Sequence, residues 1–252
     1  MASVRFVAIG DSFTEGVGDA LPDGTVRGWA DLVAQGWASS RGESIEYANL
    51  AIRGKLVWPI VREQLEPALA LRPTHLSFNG GGNDMLRPRT SISHIADAFS
   101  HVLRRCDEEG VTLVLLSGAN PAAQLPLGRV VQRRGDLMSA AVVARVTGRD
   151  DVVRALNWPD AELSHPEYWS EDRLHMNARG HHRVAARVLD ALGQSVPDQW
   201  WSLPKLPPSV RLARGEYFRD HLGPWVHRRL TGTSSGDGRE PKHAVWSTVD
   251  PR

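Results

Sequence analysis

Five short apolar runs, each followed by a stretch long enough for an amphipathic helix, restrict this chain more than any other feature of its sequence. Residues 4–10 (VRFVAIG), 44–51 (SIEYANLA), 74–80 (THLSFNG), 112–118 (TLVLLSG) and 151–156 (DVVRAL) read as strands. Residues 28–40, 59–71, 91–109, 129–147 and 177–192 read as helices. In 91–109, Ile92, Ile95, Phe99, Val102 and Leu103 recur at helical spacing. Pro59 opens the second helix, and Pro67 is expected to kink or shorten it. Apolar strands that alternate with helices call for a parallel sheet covered on both faces.

At 252 residues the chain can hold one sizeable α/β domain and an appendage. The character changes near residue 195, which divides the sequence into a domain over 1–195 and an extension over 196–252. The extension opens with VPDQWWSLPKLPP, rich in proline and tryptophan. A helix-like stripe of Val210, Ala213, Tyr217, Phe218 and Leu222 follows, and residues 231–252 form a polar, glycine-rich end expected to be an extended or disordered tail. The arginines at 211, 214, 219, 228 and 229 are read as the solvated side of a packed helix rather than a membrane surface.

A net charge of +1 argues against a large nucleic-acid footprint. No run reaches the roughly 18 apolar residues of a membrane span, and the first residues enter a strand without the features of a secretory leader, so the cytoplasm is the expected compartment. Cys106 is the only cysteine, which leaves no intrachain disulfide and no cysteine-based zinc site. His175, His181 and His182 open a helix and are not read as a metal site. The phosphate loop G-x-x-x-x-G-K-[ST] is absent. No cofactor is expected, and the sequence does not define the oligomeric state.

Polar and glycine-rich clusters follow each of the first four strands: GDSFTEG, RGK, GGGND and SGANP. Open α/β sheets bind ligands beyond the carboxyl ends of their strands, so these clusters belong to one composite site. Ser12 follows the first strand, where a hydroxyl is reachable but needs a base to become nucleophilic. DRLH supplies His175, with Asp172 close enough in sequence to hold its other ring nitrogen across a tight loop. Three glycines bring the chain close to a ligand at GGGND, where Asn83 offers an uncharged donor, and Gly54 offers a backbone amide. Asp11, Glu15 and Asp84 are read as loop-bracing carboxylates, and Arg53 and Arg87 as solvated.

The blocks GDSFTEG, NLAIRG, GGND and DRLHMNARGH stand in the order that defines the SGNH (GDSL-type) hydrolases, and over residues 4–192 the chain resembles that family. Phe13 stands where the family name implies leucine. The resemblance implies a three-layer α/β/α sandwich with a five-stranded parallel sheet of flavodoxin-like type. It implies Ser12 as nucleophile, His175 as general base and Asp172 as its partner. It further implies an oxyanion hole from the Ser12 and Gly54 amides and the Asn83 side chain. The expected activity is hydrolysis of small-molecule esters, esterase-, lipase- or deacetylase-like. Acyl transfer or thioester hydrolysis by the same serine, and a catalytically silent binding module, are the alternatives.

Overall fold

The computed structural model describes residues 3–201 and 233–252, together with Arg219, Gly223 and Thr231. The apolar runs form β1 (Arg5–Ile9), β2 (Ile45–Asn49), β3 (His75–Phe78), β4 (Thr112–Ser117) and β5 (Val153–Leu156). They lie parallel in the order β5-β4-β3-β1-β2. The helices are α1 (Ser12–Glu15), α2 (Trp29–Arg41), α3 (Val57–Ile60), α4 (Glu66–Ala70), α5 (Gly82–Met85), α6 (Ile92–Glu109), α7 (Gly128–Arg145), α8 (Ala178–Ala191) and α9 (Asp198–Trp201).

Successive strand residues point to opposite faces, so each strand serves two cores. Val7 and Ile9 of β1 and Leu113 and Leu115 of β4 pack with Ile60, Leu65, Phe99 and Met138 on one side. Phe6, Ala8, Val114 and Leu116 pack with Trp29, Trp37, Val184 and Leu189 on the other. Helices α2 and α8 therefore cover one face, and α3, α4, α6 and α7 the other. This is the expected three-layer arrangement. Cys106 faces the first core, fully buried, and desolvation pushes its thiol up to about 12.

The strand count needs correcting. The sheet has six strands, because His243–Val249 forms β6, antiparallel to β2, with Ile45 opposite Val249 and Asn49 opposite His243. The polar end of the chain is thus an ordered edge strand over these residues rather than a loose tail. None of its side chains is buried, and intermediate and exposed positions do not alternate, which hides it in the sequence. Trp200 packs beside Gly36 and His182, in line with an extension lying on the core. The stripe at 210–222 lies outside the described residues except for Arg219.

The helix expected at 59–71 is interrupted, as Pro67 suggested, but not by a kink alone. Val61–Leu65 forms a π-helical turn between α3 and α4, and Pro67 sits in the first turn of α4, where its missing N–H costs little. Helix α7 packs against Trp158 through Gly135, where a Cβ atom would fall 1.9 Å from the indole ring. Alanine improves helix propensity by roughly 0.8–1.0 kcal/mol over glycine, whereas overpacking costs about 1–3 kcal/mol. Gly135→Ala is therefore expected to lower the urea midpoint. A raised midpoint would show that the ring has room to move.

Candidate active site

β1 lies between β2 and β3 and ends at Ile9, from which the chain leaves the sheet through Gly10. The Gln64 carboxamide is buried and holds this exit on both sides. Its Oε1 accepts from the Gly10 N–H at 2.8 Å, and its Nε2 donates to the Gly10 carbonyl at 3.0 Å. Asp11 then caps α1, its Oδ1 accepting from the Phe13 N–H at 3.1 Å and its carbonyl from Glu15 N at 2.9 Å. Ser12 is the first residue of that helix, so its own N–H has no partner within it. Burial pushes the Asp11 carboxyl up to about 6, against the pull of the Phe13 amide and of His175, with Asp84 adding a smaller upward push.

His175 arrives from the far end of the chain on a tight loop, and the loop is organised by Asp172. Asp172 Oδ1 accepts from Ser170 Oγ at 2.7 Å and from the N–H groups of Leu174 and His175, both at 2.9 Å. Its Oδ2 faces His175 Nδ1 at 2.5 Å. Arg173 between them takes a left-handed conformation, φ 59°, uncommon for a residue with a side chain. Burial acts to raise the Asp172 carboxyl, but the hydrogen bonds and charge of His175 outweigh it and hold the group well below the usual carboxylate range. On the other side of the ring, Nε2 lies 2.9 Å from Ser12 Oγ. Carboxylate, imidazole and hydroxyl thus form one hydrogen-bonded line. Asn177, not Asp172, caps α8, accepting from Gly180 N.

Asn83 comes from α5, with its Nδ2 donating to the Lys55 carbonyl at 3.0 Å and standing 3.5 Å from Asp11 Oδ2. Asp84 accepts from Val57 N at 2.9 Å, and burial raises its carboxyl. Glu15 accepts from Arg53 N at 2.6 Å and pairs with the Arg53 guanidinium. Each of the three carboxylates therefore braces a loop, as the sequence suggested, and Arg53 faces Glu15 rather than standing solvated.

Ser12, Asn83 and His175 border a cavity of about 100 Å³. Met85, Met138, Trp158, Trp169, Leu174 and Met176 supply much of its wall, which is mainly apolar. Gly54 is not among the described residues lining it. It has φ 75° and adjoins Lys55, whose carbonyl holds the Asn83 amide. His181 lies apart and buried: Nδ1 accepts from Trp29 N, Nε2 donates to the Val17 carbonyl, and burial lowers it to about 4. Among the described residues no cluster of histidine, cysteine or carboxylate side chains suits a metal ion, and no helix is long and apolar enough to cross a membrane. Gln64 escaped the sequence reading. The available signal was a polar residue on the apolar stripe of Ile60, Val61, Leu65 and Ala68.

The model of the GDSL-like lipase/acylhydrolase family matches residues 8–183. The chain belongs to this family. As a member it is a carboxylic ester hydrolase. No curated protein matches it at a significant level. Among solved structures it resembles a lipase, Lip_vut3, from a goat rumen metagenome, at 18% identity and a TM-score of 0.64, covering 75% of this chain and 97% of the lipase. A variant of an acetyl-xylooligosaccharide esterase from Geobacillus gives 18% identity and 0.61, with coverages of 77% and 96%. The psychrotrophic esterase EstA from Pseudoalteromonas gives 15% and 0.59, with coverages of 75% and 96%. At these identities the structural likeness bears on the fold alone.

The buried Asp11 carboxyl gives a test of this environment. With a folded value of about 6 against an ordinary 3.8, the folded protein holds the proton more tightly than the unfolded chain. Asp11 therefore withdraws stability as the pH rises from about 4 to about 6, by at most about 3 kcal/mol. Asparagine keeps the cap and cannot ionise. Relative to the parent, Asp11→Asn is expected to gain stability between pH 4 and pH 8 in chemical denaturation. An identical difference at both pH values would contradict the raised value.

Proposed function

We propose that the protein hydrolyses carboxylic esters through an acyl-enzyme on Ser12. Ser12 Oγ attacks the ester carbonyl while His175 Nε2 takes its proton. Asp172 keeps Nδ1 protonated, so that Nε2 is the basic nitrogen, and stabilises the imidazolium as it forms. The tetrahedral oxyanion is received by the Ser12 and Gly54 amides and the Asn83 carboxamide. Donation to the Lys55 carbonyl fixes the Asn83 amide at the site. His175 then protonates the leaving alcohol. A water molecule, deprotonated in the same way, attacks the acyl-enzyme and releases the acid and Ser12.

The observation that carries this reading is the continuous line from Asp172 Oδ2 through the imidazole to Ser12 Oγ, at 2.5 Å and 2.9 Å. Membership of an acylhydrolase family supports it independently. The apolar wall beside Ser12 suits an uncharged acyl group. The cavity beside Ser12 is small, about 100 Å³, so short acyl groups are the preferred substrates.

Ser12→Ala and His175→Ala are each expected to abolish turnover of p-nitrophenyl acetate in protein that remains folded. Asp172→Asn should cost on the order of 10⁴ in kcat, and Asn83→Ala on the order of 10²–10³. Undiminished hydrolysis by Ser12→Ala would refute the assignment. Labelling of the parent by a fluorophosphonate separates this reading from a silent binding module. Across p-nitrophenyl acetate, butyrate and octanoate, kcat/KM is expected to fall beyond the butyrate, and a rise toward the octanoate would refute the short acyl site.

A further inference from the structure

Because β6 runs antiparallel to β2, its first residue, His243, pairs with Asn49 at the end of β2. The residues just before it are therefore delivered to the sheet edge that carries Ser12. Two contacts result, both beyond the end of the family match at residue 183. In the first, Lys242 Nζ donates to the Glu15 carbonyl at 2.6 Å and the Val26 carbonyl at 3.2 Å, and pairs with Asp31 Oδ2 at 2.6 Å. Its side chain is only 17% exposed. Glu15 is the last residue of α1, whose first is Ser12, and a cation suits the carbonyl end of a helix. Asp31 Oδ2 also accepts from Gly28 N at 2.8 Å, so the ammonium ties α1 to the start of α2.

The second contact is between the turn Ser234–Gly236 and the loop that carries Gly54. A Cβ atom at Gly54 would lie 2.3 Å from Ser234 Oγ, and one at Gly236 would lie 2.1 Å from the Arg53 carbonyl oxygen. The turn is closed on itself: Ser234 N donates to Asp237 Oδ2 at 2.7 Å, and Gly236 N to Ser234 Oγ at 3.1 Å. The two contacts meet through Glu15, which holds Arg53 by its N–H and its guanidinium.

We propose that residues 234–242 are a positioning element of the catalytic site. Lys242 fixes the far end of the nucleophile's helix, and the Ser234–Gly236 turn fixes the loop of Gly54. The inference rests on the reading of Ser12 as nucleophile and of Gly54 as an oxyanion donor. A helix of four residues has too little length to hold an orientation by itself, and a displacement of about 1 Å at a reacting group costs on the order of 10² in rate.

The test uses the full chain, p-nitrophenyl acetate as substrate and a fluorophosphonate to titrate active sites. In Lys242→Met and Gly236→Ala, labelling is expected to reach the same stoichiometry as in the parent but more slowly. The kcat per titrated site should fall about 10- to 100-fold with KM little changed. Lys242→Arg should recover part of the loss, and Val245→Thr, on the exposed side of β6, should match the parent. Unchanged kcat per titrated site, with losses confined to the number of sites or to Tm, would make the segment merely structural and overturn the proposal. If Lys242→Met does not fold, Gly236→Ala decides, because it removes no hydrogen-bonding group and adds one methyl group against the Arg53 carbonyl. A parent that neither turns over the ester nor takes the label would overturn the reading of Ser12 itself, an outcome distinct from normal kcat in the variants.

Discussion

A parallel strand buried between two others has no freedom in where its chain emerges. β1 lies between β2 and β3, with Phe6, Val7, Ala8 and Ile9 fully buried, so the chain must leave at the carboxyl edge and turn at once. Backbone polar groups at that exit have lost the regular ladder and are costly if unpaired. Here the Gln64 carboxamide takes both groups of Gly10, whose carbonyl also accepts from Ile52 N at 3.2 Å. The position of Ser12 follows from this exit, and the rest of the site is arranged around it by the loops after β2 and β3 and by the turn at Asp172.

The carboxylates around the site divide by partner and by burial. Asp11 and Asp84 are buried, accept from backbone N–H groups and are pushed up by desolvation, whereas Asp172, more exposed, meets an imidazole that outweighs its desolvation and holds it down. Neighbouring groups thereby differ in their readiness to carry charge. Of these three, only the carboxylate that faces His175 is held below its ordinary range. The other two spend their oxygens on loop geometry.

Much of this was legible in the sequence, for physical reasons that also explain the gaps. β1 and β4 announce themselves because strands buried on both faces need unbroken apolar runs. Ser12, Asp172 and His175 could be singled out by chemistry, and the structure brings them into contact across 163 positions of sequence. Gly54 could be singled out too, but its closeness to Ser234 and Ser235 is encoded in no local pattern. β6 escaped because an edge strand draws its order from the partner it pairs with. The cavity wall combines Met138 of α7 with Trp158 after β5, a juxtaposition that exists only once the layers are packed.

Cys106 is wholly enclosed by the α6 side of the core, and its thiol stays protonated well past neutral pH. Thiolate is the form that reacts with maleimides and disulfides, so such reagents reach this sulfur only when the layer between α6 and the sheet opens. As the sole sulfhydryl in the chain, it is a built-in clock for those excursions. The rate of maleimide uptake reads how often the interior breathes, with no dye or engineered residue added.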